Sequence, residues 1–190
     1  MTIIGITGTI GAGKGTAVDY LTAKGFAHYS ARDFIVREIE RRGLPVDRDS
    51  MVAVANDLRT AHSPSYIIAA LAEEARKNGT DAVIESVRTE GEVNALRENG
   101  HCYLLAIDAD PKVRYERIVL RGSATDHISF EKFLADEERE MRDPDPAKQN
   151  LARCIELADH RISNNGTVEE LHAALDRVMD AITAAEAAKS

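Results

Sequence analysis

The segment GTIGAGKGT, Gly8 to Thr16, is the most informative part of this 190-residue sequence. It follows the apolar run IIGIT at residues 3–7, which predicts a buried strand, and it precedes a stretch at residues 16–24 that predicts a helix. Glycines let backbone N–H groups turn inward around phosphate oxygens, and the helix N-terminus adds the positive end of its dipole. In this context Gly-x4-Gly-Lys predicts a loop that binds a nucleoside triphosphate, with Lys14 reaching the outer phosphates.

The residue after Lys14 departs from the usual form of such a loop. Gly15 stands where Ser or Thr is expected, so the hydroxyl arrives one place later, at Thr16. Thr16 contacts Mg²⁺ or, in the other arrangement, contacts an inner phosphate while water surrounds the metal. A glycine-rich turn that binds nothing is the alternative, and the strand–loop–helix context disfavours it. The predicted nucleotide-binding residues of the loop are Gly8, Ile10, Gly11, Ala12, Gly13, Lys14, Gly15 and Thr16.

Short apolar runs alternate with longer amphipathic stretches along the rest of the chain. Further strands are predicted at residues 27–30, 81–85, 102–107 and 159–163. Helices are predicted at residues 33–42, 50–60, from Ser63-Pro64 to Asn78-Gly79, and at 111–121, 129–141 and 167–185. This alternation predicts an α/β fold in a single domain over residues 1–190, with a five-stranded parallel sheet and helices on both faces.

The composition narrows the function classes. A formal net charge of -8 disfavours general binding to nucleic acid or to an anionic membrane, and the absence of Trp disfavours a stacking platform for bases. No apolar run approaches the roughly 18 residues of a membrane span. Cys102 and Cys154 share no metal-like spacing, which favours reduced thiols in a cytoplasmic protein. We therefore expect a monomer or homodimer that acts on a small molecule.

Polar residues follow the strand predicted at residues 27–30. The carboxyl ends of parallel strands face the ligand crevice, so Ser30 and the helix start after it are expected there. Arg32 and Arg37 are candidates for binding an anionic acceptor, and Asp33 for orienting the attacking oxygen or accepting its proton. The alternative for these charges is a solvated helix start, with Asp33 as a first-turn acid.

A second set of candidates follows the strand at residues 81–85. Glu85 lies at the end of a buried strand, where it is expected to act as the carboxylate on the metal side, partly through water. Arg88, three residues further on, is expected at the mouth of the cleft as an acceptor ligand. Arg59 is a weaker candidate for the same pocket. A strand-end surface charge is the alternative reading of Glu85 and Arg88.

Arginines recur at helical spacing after the fourth strand. Arg114, Arg117 and Arg121 share one helix face, and Arg139 and Arg142 lie in the next predicted helix. Arginines that close over a transferred phosphoryl group stabilise its charge. Arg117 and Arg121 are therefore predicted to be catalytic, with Arg117 also contacting the nucleotide. The alternative is a helix of exposed ion pairs with neighbouring glutamates.

Taken in order, these motifs resemble those of nucleoside monophosphate kinases, the small P-loop kinases related to adenylate kinase. GTIGAGKGT looks like their phosphate loop, and residues 83–88 resemble their Asp-Gly-x-x-Arg and Asp-Gly-x-Arg motifs, with Glu85 in place of Asp. The resemblance implies a three-layer P-loop NTPase fold with an acceptor-binding helical segment at about 31–78 and a small helical lid at about 121–146. It also implies ATP, Mg²⁺ and a nucleoside or deoxynucleoside monophosphate acceptor.

Two other functions remain open from the sequence. Residues 157–167 look like the adenine-binding region of dephospho-coenzyme A kinases, where backbone atoms at Asn165 and Gly166 hold the base. In such an enzyme Asp33 deprotonates a ribose hydroxyl, although that family normally has Ser-Thr after the loop lysine. The alternative for these residues is a purely structural role, as an Asn-Gly turn and a helix cap. The third possibility is a regulatory module that binds ATP without an acceptor.

Overall fold

The computed structural model describes residues 1–98, 101–122 and 128–188. Its strands are β1 (Ile3–Thr7), β2 (Ala27–Ser30), β3 (Ala82–Glu85), β4 (Cys102–Asp108) and β5 (His160–Ser163). They form one sheet in the order β2-β3-β1-β4-β5, and every neighbouring pair is parallel. The predicted five-stranded parallel sheet is therefore confirmed.

Helices cover both faces of the sheet. They are α1 (Lys14–Ala23), α2 (Ala31–Arg41), α3 (Arg48–Ala61), α4 (Tyr66–Asn78), α5 (Glu90–Arg97), α6 (Pro111–Arg121), α7 (Phe130–Met141), α8 (Leu151–Leu157) and α9 (Val168–Ala187). Alternation along the buried strands sends side chains to both sides. Ile3 belongs to the core cluster on the side of α2, α3, α4, α5 and α8, whereas Ile4 and Ile6 belong to the cluster on the side of α1 and α9. The three-layer α/β architecture follows from this division.

Three features of the helices differ from the sequence-based expectation. Neither α5 nor α8 is predicted, although Thr89 and Glu92 form a capping box at the start of α5. The helix α4 begins at Tyr66 rather than at Ser63-Pro64, because the Pro64 carbonyl accepts a hydrogen bond from the Thr89 hydroxyl at 3.0 Å. That bond ties the preceding turn to α5 and delays the helix.

The helix α7 is less exposed than its charges suggest. Phe133 and Asp136 are buried, and the Phe133 ring packs against Tyr115 and Phe130. One face of α7 is therefore docked onto α6, and Glu140 near the end of α7 lines the cleft.

The sheet brings the predicted site to one edge. Ile6 of β1 and Ser30 of β2 are both in register with Glu85 of β3, so the phosphate loop lies beside Glu85. Cys102 and Cys154 are free thiols, as expected. None of the described helices is long and apolar enough to cross a membrane.

Candidate active site

The phosphate loop is shaped by glycines that no other residue replaces. Gly8, Gly11 and Gly13 have φ values of 133°, 77° and 97°, which L side chains rarely adopt. A Cβ on Gly8 would overlap the Ile107 carbonyl, and one on Gly11 would press on the backbone of Arg114. Gly13 caps α1 without a side-chain hydrogen bond, so the first N–H groups of the helix are available to phosphate oxygens.

Neighbouring strands hold the loop in place. The buried Asn164 donates from Nδ2 to the Ala12 carbonyl at 2.9 Å, and its backbone N–H donates to the Asp108 carbonyl at 2.7 Å. The Thr9 hydroxyl donates to the Asp108 carboxylate. Sequence analysis missed the side chains of Asn164 and Asp108, although Asp108 ends β4 and Asn164 directly follows β5.

Lys14 lies against the loop that it completes. Its Nζ donates to the carbonyls of Gly8 at 2.8 Å and Thr9 at 2.6 Å. Desolvation and the nearby Arg88 guanidinium lower the pKa of Lys14 to about 7, against the opposite effect of the Glu85 and Glu140 carboxylates. Anionic phosphates would favour the charged form, so the lysine is poised to gain a proton as a nucleotide binds.

One cavity of about 650 Å³ contains both the phosphate loop and most of the arginines that are predicted to bind the acceptor. It brings together most of the predicted site residues: Ile10, Gly11, Ala12, Gly13, Lys14, Gly15, Thr16, Arg32, Arg59, Glu85, Arg88, Arg117 and Arg121. Its lining does not include Gly8, Ser30, Asp33, Arg37, Asn165 or Gly166. The cavity also contains residues that sequence analysis did not single out, among them Arg48 and Gln149.

The start of α2 explains why Asp33 and Arg37 lie outside the cavity. Ser30 is the N-cap and accepts a hydrogen bond from the Asp33 N–H at 3.1 Å, which leaves Asp33 as an exposed first-turn acid. The exposed Arg37 lies over the Phe34 ring. The Ser30 hydroxyl also donates to Glu85 at 3.0 Å, so Ser30 orients a cavity carboxylate.

Arg59 forms a buried ion pair with Glu92 behind the cavity. Its Nη2 lies 2.8 Å from the carboxylate, and the exposed fractions of the two side chains are 3% and 0%. The other Glu92 oxygen accepts from the Arg88 N–H at 2.7 Å, which links the pair to the segment after β3. Among the described residues, the buried Nη1 of Arg59 has no hydrogen-bond partner.

Arg88 is held by side chains from α7 and from the segment before α8. Its Nη1 donates to Gln149 at 2.6 Å and to Glu140 of α7 at 3.1 Å. The other Glu140 oxygen accepts from Arg48 of α3 at 2.7 Å. Glu140 therefore bridges two arginines that lie 40 positions apart in the chain.

The arginines of α6 have different surroundings. Arg114 is buried, donates to the Ala109 and Ile10 carbonyls, and pairs with Glu137, so it supports the loop from below. Arg117 donates to the carbonyls of Asn164 at 2.8 Å and Gly166 at 3.2 Å. Arg117 and Arg121 both line the cavity.

The arginines of the predicted lid are more exposed. Arg139 is 71% exposed and pairs with Asp136, and Arg142 is exposed. Residues 123–127 of the predicted lid lie outside the described residues.

The residues present fit a magnesium ion at the loop. Thr16 and Glu85 line the same cavity and offer hydroxyl and carboxylate oxygens, which Mg²⁺ prefers. In the part of the chain that the structure describes, no group of three or more His, Cys, Asp or Glu residues is arranged to hold a metal. Mg²⁺ commonly uses one or two carboxylates, the substrate phosphates and water, and this donor set is compatible with that arrangement.

Comparison with known proteins supports the same architecture. A family model described as an AAA domain matches residues 4–145. The chain is 32% identical over 179 residues to a UPF0200 protein of Pyrobaculum aerophilum, covering 93% of this chain and 96% of that protein. The structure of TT1252 from Thermus thermophilus aligns with a TM-score of 0.63 and 22% identity over 96% of each chain. A gluconokinase from Sinorhizobium meliloti aligns with a TM-score of 0.57 and 15% identity, over 96% of this chain and 95% of that one. The fold is that of the small P-loop kinases.

Proposed function

The chain belongs to the AAA_18 family of AAA domains and to the UPF0200 proteins, and on this premise we propose that it transfers the γ-phosphate of ATP to a nucleoside or deoxynucleoside monophosphate. The observation that carries the proposal is the 650 Å³ cavity, with a phosphate loop at one end and Arg32, Arg59 and Arg88 at the other. Ligand sites commonly have volumes of about 300–1,000 Å³. The arginines favour an acceptor that is itself anionic.

The chemistry of the acceptor is consistent with the position of Asp33. In the proposed reaction an acceptor phosphate oxygen attacks the γ-phosphorus, and the bond from that phosphorus to the β–γ bridging oxygen breaks as ADP leaves. An ionised phosphate oxygen has no proton to remove, so the reaction needs no general base. A hydroxyl acceptor would need one, and Asp33 lies outside the cavity lining. The general base on which the dephospho-coenzyme A alternative relies therefore lies outside the cavity.

Each end of the cavity has a separate task in this reaction. The loop N–H groups and Lys14 bind the donor phosphates, for which Lys14 exchanges the Gly8 and Thr9 carbonyls for phosphate oxygens. Arg117 and Arg121 supply positive charge for the transferred group. Mg²⁺ at Thr16 and Glu85 would neutralise charge on the donor phosphates.

An acceptor panel tests the proposal. We would measure ADP release from MgATP with AMP, CMP, UMP, GMP, dCMP, dTMP, dGMP, dephospho-coenzyme A and gluconate. Strong stimulation by one or a few monophosphates is expected, and it should disappear in Lys14→Ala. Stimulation by dephospho-coenzyme A or gluconate alone would replace the proposed acceptor with a hydroxyl compound. ATP binding without any stimulation would favour a regulatory module.

A further inference from the structure

We propose that an anionic group of the acceptor binds between Arg48 and Arg88, and that Glu140 of α7 occupies this anion site until the acceptor arrives. The inference rests on the proposed function for the identity of the acceptor, but the anion site itself does not depend on phosphoryl transfer. Neither Arg48 nor Glu140 belongs to the phosphate loop or to the strand ends that form the rest of the site.

The geometry of Glu140 is that of a bound anion. One carboxylate oxygen accepts from Arg48 Nη2 at 2.7 Å, and the other accepts from Arg88 Nη1 at 3.1 Å. All three residues line the same cavity as Lys14. Phosphate and carboxylate present pairs of oxygens to guanidinium groups in similar ways, so a phosphate oxygen pair can take the place of this carboxylate.

An unsatisfied donor close by gives independent support. Arg59 lines the same cavity, and only 3% of its side chain is exposed. Its Nη1 nevertheless has no hydrogen-bond partner among the described residues. Buried polar groups are almost always hydrogen-bonded. An oxygen of the bound ligand would supply the partner that this N–H group lacks. Arg59 and Arg88 are joined through Glu92, which accepts from the Arg59 side chain and the Arg88 N–H. A phosphate has a further oxygen for Arg59, whereas both oxygens of Glu140 are engaged.

The protein can release Glu140 without losing the rest of the arrangement. Arg88 keeps Gln149, whose oxygen accepts from the same Nη1 at 2.6 Å. Arg48 keeps Asp136, at 3.9 Å, and α7 remains anchored by the buried Phe133. Exchange of one anion for another therefore requires movement of one side chain, during which Arg88 keeps its hydrogen bond to the Gln149 amide and Arg48 keeps the Asp136 carboxylate nearby.

Inorganic phosphate is a suitable probe for this site because it needs no catalysis. The phosphate loop would first be saturated with ADP, so that only the acceptor end remains, and phosphate binding would then be measured by calorimetry. Glu140→Gln removes the competing charge and is expected to bind phosphate about tenfold more tightly than the unaltered protein. Adding Arg48→Met to Glu140→Gln is expected to remove that gain.

Glu138→Gln is the matched control, since it removes the same charge from an exposed position on α7. It should bind phosphate like the unaltered protein. An unchanged phosphate affinity in Glu140→Gln, or an equal gain in Glu138→Gln, would overturn the proposal. If the Arg48 variant folds poorly, Arg48→Lys keeps the charge, and a reduced gain in that background carries the same test.

The two proposals can fail separately. Tight phosphate binding by Glu140→Gln without stimulation by any monophosphate would support the anion site and reject the acceptor class. Stimulation by a monophosphate with phosphate affinity unchanged in Glu140→Gln would support the proposed function and reject the role of Glu140.

Discussion

The two ends of the cavity are held by different kinds of contact. At the phosphate loop the contacts run to backbone carbonyls: Lys14 to Gly8 and Thr9, and Asn164 to Ala12. At the acceptor end they are ion pairs between side chains that are distant in the chain, as in Arg48–Glu140, Arg88–Glu140 and Arg59–Glu92. Backbone contacts leave the loop shaped to receive a ligand, whereas ion pairs must be exchanged for one.

This difference has a consequence for substrate order. The loop is preformed by glycine geometry and neighbouring strands, so donor binding needs little more than movement of Lys14. The acceptor must displace a carboxylate, which raises the cost of its binding and favours ligands that carry negative charge themselves. Variants at the two ends should therefore fail in different ways.

The largest expected effect is at the donor end. Lys14→Ala should lower kcat by about 1,000-fold, because it removes a positive charge aimed at the transferred group. The fold should persist, because the Lys14 side chain takes no part in core packing. Circular dichroism would check that the variant is folded. A variant that is folded and fully active would exclude the loop as the donor site.

At the acceptor end the largest effect should be on stability. Arg59→Met leaves the Glu92 carboxylate buried without its partner and should cost about 3 kcal/mol in the free energy of unfolding. Arg41→Met removes a pair with Glu38 in which the arginine is 73% exposed, and it should leave the urea midpoint unchanged. Equal midpoints for the two variants would contradict the assignment of Arg59 as part of a buried pair.

Arg88→Ala should separate the two substrates. Loss of a charged hydrogen-bond donor to the acceptor should raise its KM by about 20-fold. The KM for ATP should not rise, because Arg88 lowers the pKa of Lys14 and its removal favours the charged lysine that binds the donor phosphates. Steady-state kinetics with each substrate varied in turn gives both constants. A larger rise in the KM for ATP would move Arg88 to the donor end.

The same contrast explains what the sequence alone reveals. The phosphate loop is a local signal, and the strand before it and the helix α6 are predicted at their observed bounds. Strand-end reasoning also places Glu85 and Arg88 in the cavity. It leaves two interpretations of Asp33 open, and the structure agrees with the first-turn acid, because Ser30 caps α2 and Asp33 is exposed.

Long-range pairing is the part that the sequence does not show. Arg48 and Glu140 are 92 positions apart, and no spacing or composition marks them as partners. The charges of α7 predict a solvated helix, whereas in the structure Phe133 and Asp136 are buried and Glu140 lines the cavity. The missed contact of Asn164 with Ala12 has the same cause, since it joins two loops across 152 positions.

Proton uptake gives the smallest expected effect at neutral pH, and it connects the two ends. Lys14 has a pKa of about 7 in the ligand-free protein, lowered first by desolvation and then by the Arg88 charge. The phosphates of ADP should raise the pKa of Lys14. Above pH 7, ADP binding must therefore be accompanied by protonation of the lysine. The affinity for ADP should consequently fall by up to about tenfold per pH unit between pH 7 and pH 9. Calorimetry in buffers of different ionisation enthalpy should show uptake approaching one proton.

The Lys14→Ala variant should show none of this proton uptake. In Arg88→Ala the onset of the uptake should move to higher pH, because a cation near the lysine is gone. Constant affinity across this range would mean that the lysine is charged before the nucleotide arrives, and that the acceptor arginines do not influence the donor end.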